Sequence, residues 1–188
     1  MDITKTKEVL ETARVKMQKA VQHFSEELAS FRAGKANPAV FQGLVVDYYG
    51  TPTPIDQMSS ISTPDARTML IQPWDKKMIP LIEKAIMAAN LGFTPQNNGE
   101  TIRINVPPLT EERRKELVKK ARSEGEAARV SVRNIRRDQI EVVKKMQKEG
   151  LPEDMAKDTE GLIQKETEHF YKKIDELLTA KEKEIMTV

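Results

Sequence analysis

Three stretches of this chain carry apolar residues at helical spacing, over lengths that restrict the fold to a helical frame. The first runs through Leu10, Ala13, Met17, Ala20, Phe24 and Leu28. The second starts at Thr110 and runs through Leu117, Ala121, Ala128, Val132, Ile135, Val142 and Met146. The third lies between Asp158 and Glu184 and runs through Ile163, Phe170, Ile174 and Leu177. Steps of three, four and seven put each set on one side of an α-helix. At 1.5 Å per residue the first helix alone is about 40 Å long. One apolar side of such a rod must be covered by something else. Three of them cover one another most simply as a bundle.

Between the first and second helices the period changes. Gly43 to Tyr49, GLVVDYY, is β-branched and aromatic and reads as a strand. Gly50 to Pro54, GTPTP, reads as a turn. Ile61 falls in a further short strand, and Thr68 to Gln72 forms another, closed by Pro73. Lys77 to Asn90 is a short helix with Pro80 in its first turn. Asn97-Asn98-Gly99 signals a turn, and TIRINV from Thr101 to Val106 alternates as an edge or half-buried strand. The expected fold is therefore α+β. Residues 1–30 and 107–188 form a three-helix bundle, and residues 31–106 form a small inserted β/α/β domain. Gly or Pro breaks the chain at both crossings, near 31–38 and 106–109. Arg32, Ala33, Gly34, Pro107 and Pro108 are the expected hinge.

The second helix also carries a basic row. Lys115, Arg122, Arg129 and Arg136 recur every seven residues, with Arg133 and Arg137 beside them. Arg suits phosphate, because its planar fork donates with defined geometry. The net charge of +2 hides an asymmetry. Residues 111–145 hold 12 Lys/Arg against 7 Asp/Glu, a net of +5, and residues 146–188 hold 7 against 11, a net of −4. Such a distribution points to one functional basic surface.

Other chemistries lack their residues. The chain has no cysteine, which removes disulfides and thiolate metal sites. Its N-terminus has no apolar signal core, and no run approaches the roughly 20 apolar residues that span a bilayer. A cytoplasmic monomer without a membrane partner is expected. Glu111 and Glu112 fall in a first helical turn, where carboxylates oppose the positive helix end and need no catalytic role. His23 and His169 stand in different helices without partners at metal-ligand spacing. Asn90 to Gly99 lacks phosphate-loop spacing. No catalytic residue, metal or cofactor is expected. Trp74 follows Pro73 at a strand end, where it packs or, if exposed, stacks on RNA.

Four strings carry a resemblance: VVDYYGTPTP from Val45, EKAIMAANL from Glu83, PPLTEERRKEL from Pro107 and ARVSVRNIRRD from Ala128. Together, and in this order, they resemble the bacterial ribosome recycling factor family. The resemblance implies an L-shaped pair of domains joined by a flexible elbow. It implies a non-catalytic translation factor that binds large-subunit ribosomal RNA after termination. With elongation factor G and its GTP, such a factor splits the ribosome and releases messenger RNA. The family's RNA-contacting arginines fall here on Arg32, Arg114, Arg129, Arg133 and Arg136. With the basic row, the expected RNA-binding set is Arg32, Lys35, Arg114, Arg122, Arg129, Arg133, Arg136 and Arg137. One departure is that the family usually has Arg where this chain has Lys35, and Thr where it has Ala33. Competing readings are a helical coiled-coil adaptor, a generic RNA-binding protein, or a nuclease. The last would need clustered carboxylates or histidines.

Overall fold

The computed structural model describes residues 2–31 and 34–187. The expected hinge residues Arg32 and Ala33 lie outside them. In chain order the elements are α1 (Asp2–Ser30), β1 (Val45–Tyr48), β2 (Thr51–Pro54), a single turn α2 (Ile55–Met58), β3 (Ser59–Asp65), β4 (Thr68–Pro73), α3 (Ile79–Ala88), β5 (Pro95–Asn97), β6 (Ile102–Asn105), α4 (Glu111–Lys148) and α5 (Glu153–Met186). Met1–Phe31 with Glu111–Val188 make one compact unit, and Arg32–Thr110 make the other. The protein is a two-domain α+β molecule. No helix of the described residues is long and apolar enough to cross a membrane.

In the helical unit α1, α4 and α5 each pack on the other two. Met17, Phe24, Leu28, Ala121, Val132, Phe170 and Ile174 fill one core, and Val9, Val143, Leu151, Ala156 and Ile163 fill a second. The buried row of α4 is Leu117, Ala121, Gly125, Ala128, Val132, Gln139 and Val143. That corrects the expected stripe in one place. Val142 is 41% exposed and Val143 is fully buried. The misreading came from stepping seven from Ile135, which itself sits at the edge of the buried face. Eleven residues from Val132, close to three whole turns, lead to Val143.

Gly125 lies where α4 comes close against side chains of α1 and α5. A Cβ built there would lie 3.3 Å from Leu178 Cδ2 and 3.5 Å from Phe24 Cζ. Gly125→Ala should be nearly neutral. The helix gains about 1 kcal/mol of propensity, and the mobile end of Leu178 yields a few tenths of an ångström. Gly125→Leu should cost about 1–3 kcal/mol by overpacking. Urea denaturation of both variants checks the contrast.

The α4–α5 corner is a Schellman stop. Gly150, at φ +111°, donates to Gln147 O, and Leu151 N donates to Met146 O. Leu151 then packs beside Met146, completing the motif's hydrophobic contact.

In the other unit β1 and β2 form a hairpin with Tyr48 opposite Thr51. The turn is only Tyr49-Gly50, and TPTP is a strand, so the expected five-residue turn is corrected. Two prolines disguised β2, which pairs along one side only, as prolines in strands require. Both turn residues have positive φ, 49° and 86°. The other four strands form one antiparallel sheet in the order β3-β4-β6-β5. β6 is therefore interior rather than an edge, with Ile102 and Ile104 buried and Arg103 and Asn105 exposed. β5 has no counterpart among the expected strands, since three residues beginning with proline carry no strand signature. α3 begins at Ile79, two residues later than expected, after a 3-10 turn at Lys76–Met78. Its Ile79, Ile82 and Ile86 pack onto Met69, Ile71, Ile102 and Ile104.

Candidate nucleic-acid interface

The basic row of α4 does not simply face solvent. Arg122 Nε donates to Glu182 on α5 at 2.6 Å, and Arg129 donates to Asp175 of the same helix. Arg136 donates to Gln164 Oε1 at 3.2 Å, and Gln164 in turn donates to Glu168 at 3.1 Å. Arg136 Nε is buried without a hydrogen-bond partner among the described residues. Arg114 donates to the Met186 carbonyl at 3.3 Å. Glu168, Asp175 and Glu182 are themselves seven residues apart. Antiparallel packing sets this acidic row against Arg136, Arg129 and Arg122 in turn. Part of the charge asymmetry read from the sequence is therefore consumed inside the molecule. The hydrogen bond to Glu182, and then that carboxylate's charge, push the Arg122 guanidinium further up. Glu166 does the same to Arg14, which ties α1 to α5 at 2.7 Å. Pairs at such exposure orient side chains more than they stabilise.

Arg122 takes Glu182 on α5 rather than Glu126 one turn along its own helix, and Arg133 makes no pair with Asp138. The signal that could have revealed the seam was present: two rows of opposite charge with one spacing, on helices joined by a short corner. Lys115 is held by Glu111 at 2.9 Å.

Of the arginines on α4, the pair left uncommitted among the described residues is Arg133 and Arg137. Arg133 lies one residue, roughly 100° of rotation, beyond the buried Val132. Arg137 is four residues on and so lies on the same side. Neither makes an ion pair or hydrogen bond among the described residues. Two guanidiniums with unused donors, a helical turn apart on a rigid rod, can each take a phosphate oxygen without breaking an internal contact. Lys35 lies on the other unit, half-buried and likewise unpaired among the described residues. Among those residues, no cluster of three or more His, Asp or Glu is arranged to hold a metal ion.

The family model for ribosome recycling factor matches residues 24–186. The chain belongs to the ribosome recycling factor family. The ribosome-recycling factor of Porphyromonas gingivalis is 54% identical over 183 residues, covering 97% of this chain and 98% of its own. That of Syntrophomonas wolfei is 53% identical over 183 residues, covering 97% and 99%. A solution structure of the ribosome recycling factor aligns with a TM-score of 0.82 at 40% identity, over 98% of both chains. A second structure describes the T. thermophilus ribosome recycling factor and E. coli elongation factor G bound to the E. coli post-termination complex. Its factor aligns with a TM-score of 0.66 at 44% identity, over 97% of this chain and 99% of that one. Matches of this extent include both the bundle and the insert.

Proposed function

We propose that this chain recycles ribosomes after termination, splitting the post-termination complex together with elongation factor G and GTP and freeing messenger RNA. The observation that carries the reading is its match, over nearly the whole of both chains, to a factor described on that complex beside that partner. The protein acts as a cytoplasmic monomer and itself hydrolyses nothing. It holds large-subunit ribosomal RNA through phosphate contacts. Arg133 and Arg137 lead these contacts, because their donors are unused. Arg122 and Arg129 join only by leaving Glu182 and Asp175, and Arg114 and Arg136 only by loosening their contacts to α5. Arg32 and Lys35 add charge at the border of the insert. Arg32, Ala33, Gly34, Pro107 and Pro108 serve as the hinge that lets one unit stay bound while the other moves.

The test uses purified post-termination ribosomes. The protein should pellet with them at low salt and be released at high salt. Subunits should separate on a sucrose gradient only when elongation factor G and GTP are also present. Pelleting without splitting under any combination would reduce the protein to an RNA-binding one. Failure to pellet at low salt would remove the reading altogether.

A further inference from the structure

The tip of the β1–β2 hairpin uses an unusual residue. Tyr49 has φ +49° and precedes Gly50 in a turn whose first position favours Asn, Asp or Gly. A bulky residue with positive φ is a backbone outlier, and such outliers cluster where a side chain is needed for contact. Tyr49 is 73% exposed and Trp74 is 71% exposed. Asp75, the chain neighbour of Trp74, ties the hairpin tip to that segment. One of its carboxylate oxygens accepts the Tyr49 hydroxyl at 3.0 Å, and the other accepts Lys77 N at 3.0 Å. The Tyr48 ring braces Tyr49 edge-on at 4.8 Å. The Trp74 ring meets no other aromatic ring among the described residues. Turn propensity does not account for Tyr49, and no ring contact among the described residues accounts for Trp74.

We propose that Tyr49 and Trp74, flanked by Lys76 and Lys77, form a stacking platform for unpaired bases of single-stranded RNA. Every base offers a π-face to an exposed aromatic ring, while ammonium groups follow the phosphates. Lys77 has no acidic partner among the described residues, and Lys76 is held by Glu100 at 2.8 Å. The residues after Trp74 are charged, Asp75, Lys76 and Lys77, rather than the apolar surround of a protein-docking patch. The site lies on the inserted unit and is separate from the arginines of α4.

Trp74 is the only tryptophan, so its emission reports on the platform directly. Titrating the full chain with a single-stranded ten-residue oligoribonucleotide should quench it. Tyr49→Asn should bind about tenfold more weakly, while its melt is retained because Asn suits a left-handed turn. Trp74→Leu should weaken binding similarly, read by anisotropy of a labelled oligonucleotide. Arg133→Ala should keep the quench. Four results would each overturn the proposal: no emission change up to millimolar oligonucleotide; equal affinity for wild type and either aromatic variant; the same change with inorganic polyphosphate, which has no bases; or loss of the quench in Arg133→Ala. An emission change with elongation factor G and none with RNA would overturn it in favour of a protein interface.

Discussion

Replacing Arg133 and Arg137 together by alanine should lower ribosome affinity about a hundredfold while leaving the fold intact. Each side chain has its donors unused and lies off the buried row. Arg133 is half-buried and Arg137 exposed, and neither loses a partner, so stability should change by no more than about 1 kcal/mol. A hydrogen bond to a charged group contributes about 1.5–3 kcal/mol, and every 1.4 kcal/mol is roughly tenfold in affinity. The lower end of that range, for two contacts, gives the expected loss. Because each neutralised phosphate releases counterions, the logarithm of affinity should also fall less steeply with salt, by roughly 1–2 units of slope. Arg122→Ala is the comparison. It should weaken binding less, since that guanidinium already spends its donors on Glu182. The measurement is ribosome affinity at several salt concentrations beside a thermal melt. Equal loss for Arg122→Ala and for the pair would mean that charge alone counts, wherever it lies. No loss for the pair would leave the row a solvated face.

Gly34→Ala should destabilise the inserted unit by on the order of 3 kcal/mol, since backbone and packing act together there. Gly34 has φ +72°, where an L side chain costs about 1–2 kcal/mol. The added Cβ would also lie 2.9 Å from Leu109 Cγ and 3.1 Å from Leu109 N. Overpacking of that kind costs about 1–3 kcal/mol. Proline is worse, because its ring fixes φ near −65°. Gly34→Pro therefore tests how the first crossing closes against the second, and cannot serve as a simple restraint on motion. Urea unfolding followed by Trp74 emission reads the insert, and circular dichroism at 222 nm reads mainly the bundle. The Trp74 transition should move to lower urea while most of the helical signal holds. If neither transition moves, the contact between Gly34 and Leu109 contributes nothing to stability.

The sequence made the bundle legible because its information is periodic. Phe24, Val132 and Ile174 stand on stripes that only a helix produces, and all three are buried. The insert was read less well, because its signals are local and partly contradictory. Pro52 and Pro54 argued for a turn, yet both lie in β2. Pro95 hid β5, whose pairing with β6 is a tertiary fact. The candidate site divides in the same way. That Arg and Lys gather on α4 is plain from spacing. Which of them are free is not, because Glu182, Asp175 and Gln164 lie 28 to 60 residues further along the chain. The partners of an arginine are decided by helix packing, and packing has no signature in a single helix.

The place of the insert has a consequence for how the molecule is made. α4 and α5 are joined by a corner of four residues between Lys148 and Glu153 and pair through neighbouring sequence. α1 ends at Ser30, yet its nearest partner in the bundle begins at Glu111. Contacts that close short loops form early, and those that close long ones form late. Of the three bundle helices, α1 is made first and covered last. Pulse-labelled hydrogen exchange during refolding should show α4 and α5 amides protected before those of α1. Simultaneous protection would mean that the three helices condense in one step. The apolar face of α1 thus depends for its cover on helices made long after it.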